Sequence, residues 1–172
     1  MPEAEPTLRL RYYPDPALRE KAAPIGEVTD EVRRVAAQMI ELMHAHQGAG
    51  LAGPQVGLAW RLFVANPANE PGEDRVFINP VLSAPTRRTE AQDEGCLSLP
   101  HVSGQVQRPV GITIDALDEH GEPFQLTSEA MPARVWQHEV DHLDGTLIID
   151  KMPPIDRTAN KRAIRELEAA AQ

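Results

Sequence analysis

One pentapeptide, His138-Glu139-Val140-Asp141-His142, restricts this chain more than any other stretch. Residues four apart on an α-helix lie one turn apart on the same face, so in a helical segment both imidazoles reach a single cation. The flanks predict such a helix: Pro132 suits a first helical turn, the segment runs through Val135 and Trp136 to about Leu143, and Gly145 marks its end. Glu139 is rotated about 100° from His138 and so faces a water on the metal more readily than the metal itself, the position of a general base. Two histidines do not complete a catalytic site, which needs a third protein ligand and an open position for water. The rest of the fold has to deliver that ligand.

Two kinds of donor are on offer. Thermolysin-like zincins use a downstream glutamate, for which Glu166 or Glu168 would serve. The other donor is Cys96, the single cysteine of the chain, which forms no internal disulfide and is therefore a packed thiol, a nucleophile or a ligand. His44, His46, His101 and His120 lack comparable spacing and read as helix-surface or loop histidines.

The remaining elements predict an α+β fold: short antiparallel strands packed around the central H-E-x-x-H helix, with one helix near each terminus. Thr29 and Asp30 offer an N-cap to a first helix, in which Val32, Val35, Met39, Leu42 and Met43 recur at helical spacing until Gly48 stops it. Strand-like runs follow at 61–65, 75–82 and 111–117, the last joined through Asp118-Glu119-His120-Gly121 to 123–127 as a hairpin. A third helix is expected over 157–171, after Met152-Pro153-Pro154. Residues 66–74, 83–89 and 101–104 read as loops, and 1–172 as one domain. Aromatic residues make up only 4%, so Val, Leu, Ile and Ala must form most of the core, with Trp60, Trp136, Phe63 and Phe77 as packing residues.

At this point three motifs coincide. Glu94–Ser98 resembles the E-G-C-x-S motif of peptide deformylases, His138–His142 their H-E-x-D-H, and Gly48–Gln55 their G-x-G-x-A-x-x-Q, all in family order. The resemblance extends from Tyr13 to about Ile149. It implies a metal held by Cys96, His138 and His142, with Fe(II) as the native ion and Zn(II), Ni(II) or Co(II) also accepted. The implied reaction is hydrolysis of the formyl group of nascent formylmethionyl polypeptides by a water the metal activates, with Glu139 carrying the proton from water to the departing amine. Gln55 and the backbone N–H of Leu97 map onto the donors that hold the oxyanion. Gly50 and Gly95 map onto bare backbone beside an extended substrate, although turn geometry alone would also explain them. Glu94, Asp141 and Arg108 fall where they orient a ligand or simply pair with each other.

The sequence departs from the family pattern at Ala49, where isoleucine or valine is expected, and at Gly53, where alanine is usual. If Ala49 borders the methionine pocket, that pocket is wider or reshaped. The net charge of −9 disfavours DNA and anionic membrane surfaces as partners. Arg157, Lys161 and Arg165 recur every four residues, with Ala163, Ile164 and Leu167 set to pack inward; the basic face is either solvated or a dock for ribosomal RNA, as in some relatives. Met1–Pro6 lacks the features of a secretory or mitochondrial leader and no apolar run approaches ~18 residues, so a cytoplasmic location is expected. A metal-binding protein without catalysis is the remaining alternative, one that has no use for the Glu139 carboxylate.

Overall fold

The computed structural model describes residues 7–172; the reading of Met1–Pro6 as free of a leader lies outside them. Helix α1 (Asp30–Ala45) begins where the Thr29 hydroxyl accepts the Val32 N–H at 3.3 Å. It ends earlier than the sequence suggests. Gln47, not Gly48, takes the left-handed turn (φ 57°), and the N–H groups of Gln47 and Gly48 return to the carbonyls of His44 and Met43.

Strands β1 (Gly50–Ala52), β2 (Leu62–Ala65) and β3 (Arg75–Ser83) then form an antiparallel sheet. The next two strands leave it: among the described residues β4 (Thr89–Cys96) and β5 (Leu99–Pro109) pair only with each other, as a separate hairpin. Strands β6 (Ile112–Leu117) and β7 (Pro123–Ser128) rejoin the first sheet, giving the order β1-β2-β3-β6-β7. The expected loop at 101–104 is therefore the interior of β5. Its side chains do alternate, with Val102, Gly104, Val106 and Arg108 buried, but Pro100, a glycine and a buried arginine mask the apolar period.

The five-stranded sheet is covered on both faces. Leu62 and Val64 of β2 point to α1 and meet Met39 and Met43, whereas Phe63 and Ala65 point the other way, to helix α2 (Met131–Leu143). There Phe63 stacks on Phe77 with ring centroids 4.4 Å apart, and Trp136 joins them. A third apolar cluster seats the β4–β5 hairpin: Leu99, Val102 and Val106 pack on Leu18, Leu147, Ile148 and Met152. Helix α2 thus lies between the sheet and the hairpin, as the α+β expectation required.

After a short helix α3 (Ile148–Lys151), the expected helix over 157–171 is split in two, the end of α4 (Pro154–Ala159) and α5 (Lys161–Ala170). The break falls at Asn160, whose buried side chain bonds the backbone of Ser103. Ala163, Ile164 and Leu167 pack inward as expected. The basic series is divided between two helices: Arg157 lies in α4 and donates to the Ile149 carbonyl at 2.7 Å, Lys161 and Arg165 lie on α5, and all three are exposed. No helix among the described residues is long and apolar enough to cross a membrane.

Candidate metal centre

Helix α2 fixes two of the three expected ligands. Its C-terminus is locked by Gly145 (φ 75°), whose N–H returns to the His142 carbonyl while the Thr146 N–H returns to Asp141. His142, in the last turn, is therefore held by the helix stop itself. Cys96 comes from the hairpin. The β4–β5 register shifts between Gly95 and Cys96, so that Cys96 faces Leu99 across a two-residue turn. A bulge of this kind re-aims a side chain, and here it turns the thiol toward α2.

The three donor atoms converge. Cys96 Sγ lies 3.4 Å from His142 Nε2, His142 Nε2 lies 3.2 Å from His138 Nε2, and the three fall within 4.8 Å of one another. Ligands at about 2.0–2.1 Å (N) and 2.3 Å (S) around a tetrahedral ion stand roughly 3.3–3.6 Å apart. The donor set and its spacing fit a divalent metal. Neither downstream glutamate reaches it: Glu166 pairs with Arg162 on the exposed side of α5 at 3.2 Å, and Glu168 interacts with Tyr13.

Glu94 organises the surroundings. Its carboxylate accepts His138 Nδ1–H at 2.9 Å, both Nε and Nη2 of Arg108 at 2.6 and 2.9 Å, and Arg134 Nη1 at 2.6 Å. Arg108 spends its remaining arm on Asp141 at 2.8 Å, and Asp141 also meets Lys151 at 3.1 Å. The expected trio of Glu94, Arg108 and Asp141 is thus one network, and Glu94 both touches His138 and pairs with Arg108. Burial disfavours the Glu94 anion, but His138 and Arg108 hold its carboxyl well below the usual range. For His138, burial acts to lower the pKa, yet the Cys96 sulfur and the Glu94 carboxylate raise it to about 10. Burial and the neighbouring His138 keep His142 neutral.

Glu139 is buried, and its Oε2 has no hydrogen-bond partner among the described residues. Burial pushes its pKa up to about 7, against the lowering effect of His138 and Arg108. Gly50 makes room for this carboxyl: a Cβ at position 50 would stand 2.7 Å from Glu139 Oε1. Gly95 is different, since a Cβ there meets nothing closer than the Val102 carbonyl at 3.9 Å. Neither glycine has a positive φ, so turn geometry accounts for neither. Gln55 is buried with its orientation fixed, because Oε1 accepts the Ala52 N–H at 3.0 Å. Its Nε2 consequently faces Ser98 Oγ at 3.1 Å and Cys96 Sγ at 3.6 Å.

Gly50, Gln55, Glu94, Gly95, Cys96, His138 and Glu139 line a cleft of about 660 Å³ that also takes in Ala49, Leu97, Met131 and Arg134. Two contributors were given no role from the sequence, Ser98 although it closes the E-G-C-x-S motif and Arg134 although it lies near the histidine pair. Ser98 is fully buried against Gln55. Arg134 stands four residues before His138, and extending the 138/142 spacing backwards by one turn would have found it.

Comparison with known proteins gives one consistent outcome. Residues 7–158 match the family model described as polypeptide deformylase. The chain is 39% identical over 160 residues to a peptide deformylase of Acinetobacter baumannii, covering 93% of this chain and 91% of that one. It is 42% identical over 147 residues to the chloroplastic peptide deformylase 1B of Solanum lycopersicum, covering 84% of this chain and 53% of that longer protein. The crystal structure of a plant peptide deformylase of type 1B superposes with a TM-score of 0.93 at 37% identity, covering 98% of this chain and 93% of that one.

Proposed function

Because the chain belongs to the polypeptide deformylase family of enzymes, we propose that it removes the formyl group from the N-terminal formylmethionine of newly made polypeptides, releasing formate, and that residues 1–172 form one catalytic domain. The observation that carries this reading is the convergence of Cys96, His138 and His142 beside the buried Glu139 carboxyl, with Cys96, His138 and Glu139 lining a cleft. These three side chains would hold one divalent metal. Fe(II) is the proposed native ion, and Zn(II), Ni(II) and Co(II) suit the same thiolate and imidazole donors. When bound, the metal would supply Lewis acidity, which lowers the pKa of water toward neutrality.

The chain's own groups do the rest. Glu139 takes a proton from the attacking water and passes it to the amine that leaves. A carboxyl with a pKa near neutrality suits both transfers, and its unpartnered Oε2 leaves an oxygen free to receive the proton. Gln55 Nε2 and the Leu97 N–H donate to the formyl oxygen as it gains negative charge. The peptide lies extended between two strands with an unpaired edge, β1 at the end of its sheet and β4 beside β5. Gly95 lets it approach β4, and Gly50 seats Glu139 beneath it. Ala49 borders the pocket for the methionine side chain. Glu94, Arg108 and Asp141 hold the ligands from behind. The proposed place of action is the cytoplasm, and any docking onto ribosomal RNA would rest on Lys161 and Arg165 of α5.

Anaerobic purification, metal analysis and an assay of formate release from a formylmethionyl peptide test this reading. The expected result is about one metal per chain and formate release that Glu139→Gln abolishes while metal content is retained. Metal-loaded wild-type protein that releases no formate would overturn it. The zincin alternative makes opposite demands: Glu166→Gln or Glu168→Gln would empty the site and Cys96→Ala would not.

A further inference from the structure

The metal triad is divided between two elements, Cys96 on the hairpin and His138 and His142 on α2, so the hold of one on the other decides whether the donors meet. Arg108 belongs to the hairpin and reaches out to Asp141 on α2. Arg134 makes the connection from the opposite side. It stands one turn before His138, so positions 134, 138 and 142 form a row along the helix. Its side chain is only 14% exposed. Nη1 donates to Glu94 Oε2 at 2.6 Å and to the Val106 carbonyl at 2.9 Å, and Nη2 donates to the Glu90 carbonyl at 2.8 Å. One planar group thereby grips β4, β5 and the carboxylate that receives His138 Nδ1–H.

We infer that Arg134 is a positioning residue, which clamps the β4–β5 hairpin onto α2 and thereby sets the spacing of Cys96 from the two histidines and the width of the cleft between them. The inference rests on the metal reading above. A rigid guanidinium fork is what the geometry uses: three bonds leave one plane toward two carbonyls and a carboxylate. A lysine ammonium brings the charge without the fork, and methionine keeps the apolar stem alone. Partners behind a metal ligand commonly change metal affinity by about 10–100-fold when removed.

The test is chelator competition on wild type, Arg134→Met and Arg134→Lys, with Arg165→Met as a control for loss of one exposed positive charge. Visible spectra of the Co(II)-loaded forms report the thiolate geometry. Arg134→Met is expected to weaken metal binding by at least fivefold and to alter the Co(II) spectrum, Arg134→Lys to weaken it by at least fivefold without exceeding Arg134→Met, and Arg165→Met to match wild type. Metal affinities of both Arg134 variants within fivefold of wild type would overturn the inference, even if their melting temperatures fell, because a purely structural role predicts that pattern. Should Arg134→Met fail to fold, Arg134→Lys decides by the same threshold. Wild-type protein that binds no metal would overturn the metal reading first, and this inference with it.

Discussion

At Gly50 one hydrogen atom stands where any other residue would place a carbon 2.7 Å from Glu139 Oε1. The obstructed group is the far end of a flexible side chain, so Gly50→Ala can fold by pushing the carboxyl aside. The displaced carboxyl is the proposed proton carrier. Gly50→Ala is therefore expected to change unfolding free energy by less than about 1 kcal/mol while lowering kcat at least tenfold, read by denaturation and formate release together. Gly95→Ala offers the contrast, because its new Cβ touches nothing tight within the protein; stability and metal content should hold while KM rises. An unchanged KM would remove Gly95 from the peptide path. At this scale much of the candidate site was legible, since candidate metal donors announce themselves through residue types and short spacings. Gly50 was legible only in part: its motif pointed to the substrate, whereas its tightest neighbour is Glu139, 89 positions along the chain. For Arg134 the helical spacing gave the position but not the role, because two of its three partners are backbone carbonyls, which no side-chain motif encodes.

Secondary elements were readable where one face is apolar and the other is not. Helix α2 and the β6–β7 hairpin met that condition, and β4 did not. Its sequence, Thr89-Glu-Ala-Gln-Asp-Glu-Gly-Cys96, has no apolar face because Thr89, Ala91, Asp93 and Gly95 are exposed, while the alternate side borders the cleft and pairs through Glu94 with buried cations. The break at Asn160 is a second long-range effect. Its Nδ2 donates to the Ser103 carbonyl at 2.7 Å and its Oδ1 accepts the Ser103 N–H at 3.2 Å, which continues the strand-like pairing of β5 onto the C-terminal helices. Asn160→Ala leaves both groups of Ser103 without that partner, and urea unfolding should show a loss of about 1–3 kcal/mol. Asp150 holds α3 in a different way, accepting the Leu147 N–H and pairing with Arg19. Burial raises the Asp150 pKa, but these bonds outweigh it and hold the carboxyl below its ordinary 3.8. A carboxyl depressed in the folded state contributes stability above its unfolded pKa and loses it as pH falls through the folded one. Asp150→Ala should accordingly cost about 1 kcal/mol at pH 7, and the gap to wild type should narrow below pH 4; a gap that stays constant into acid would exclude the ionic part of this contact.

Across the whole molecule, the layers meet at one place. The sheet carries Gly50 on its edge strand, α2 carries the two histidines and Glu139, and the hairpin carries Cys96, Glu94 and Arg108. A metal bridging hairpin and helix binds the folded chain far better than the unfolded one, so it stabilises the fold by linkage, by about 2.7 kcal/mol at a free concentration one hundred times Kd. For a domain of this size each kcal/mol corresponds to roughly 2–4 °C in Tm. Chelation is therefore expected to lower the Tm of wild-type protein by about 5–10 °C in scanning calorimetry. Glu139→Gln should show the same drop, because Glu139 lies beside the donors and is not one of them. Cys96→Ala should melt at one temperature with or without chelator. Glu166→Gln should behave as wild type, since its carboxylate pairs with Arg162 on the far side of α5. The pattern over these four proteins separates a site closed by the hairpin from one closed by the C-terminal helix: a chelator-sensitive Cys96→Ala beside a chelator-insensitive Glu166→Gln would place the third ligand on α5 and break the connection between hairpin and helix on which the rest of the mechanism depends.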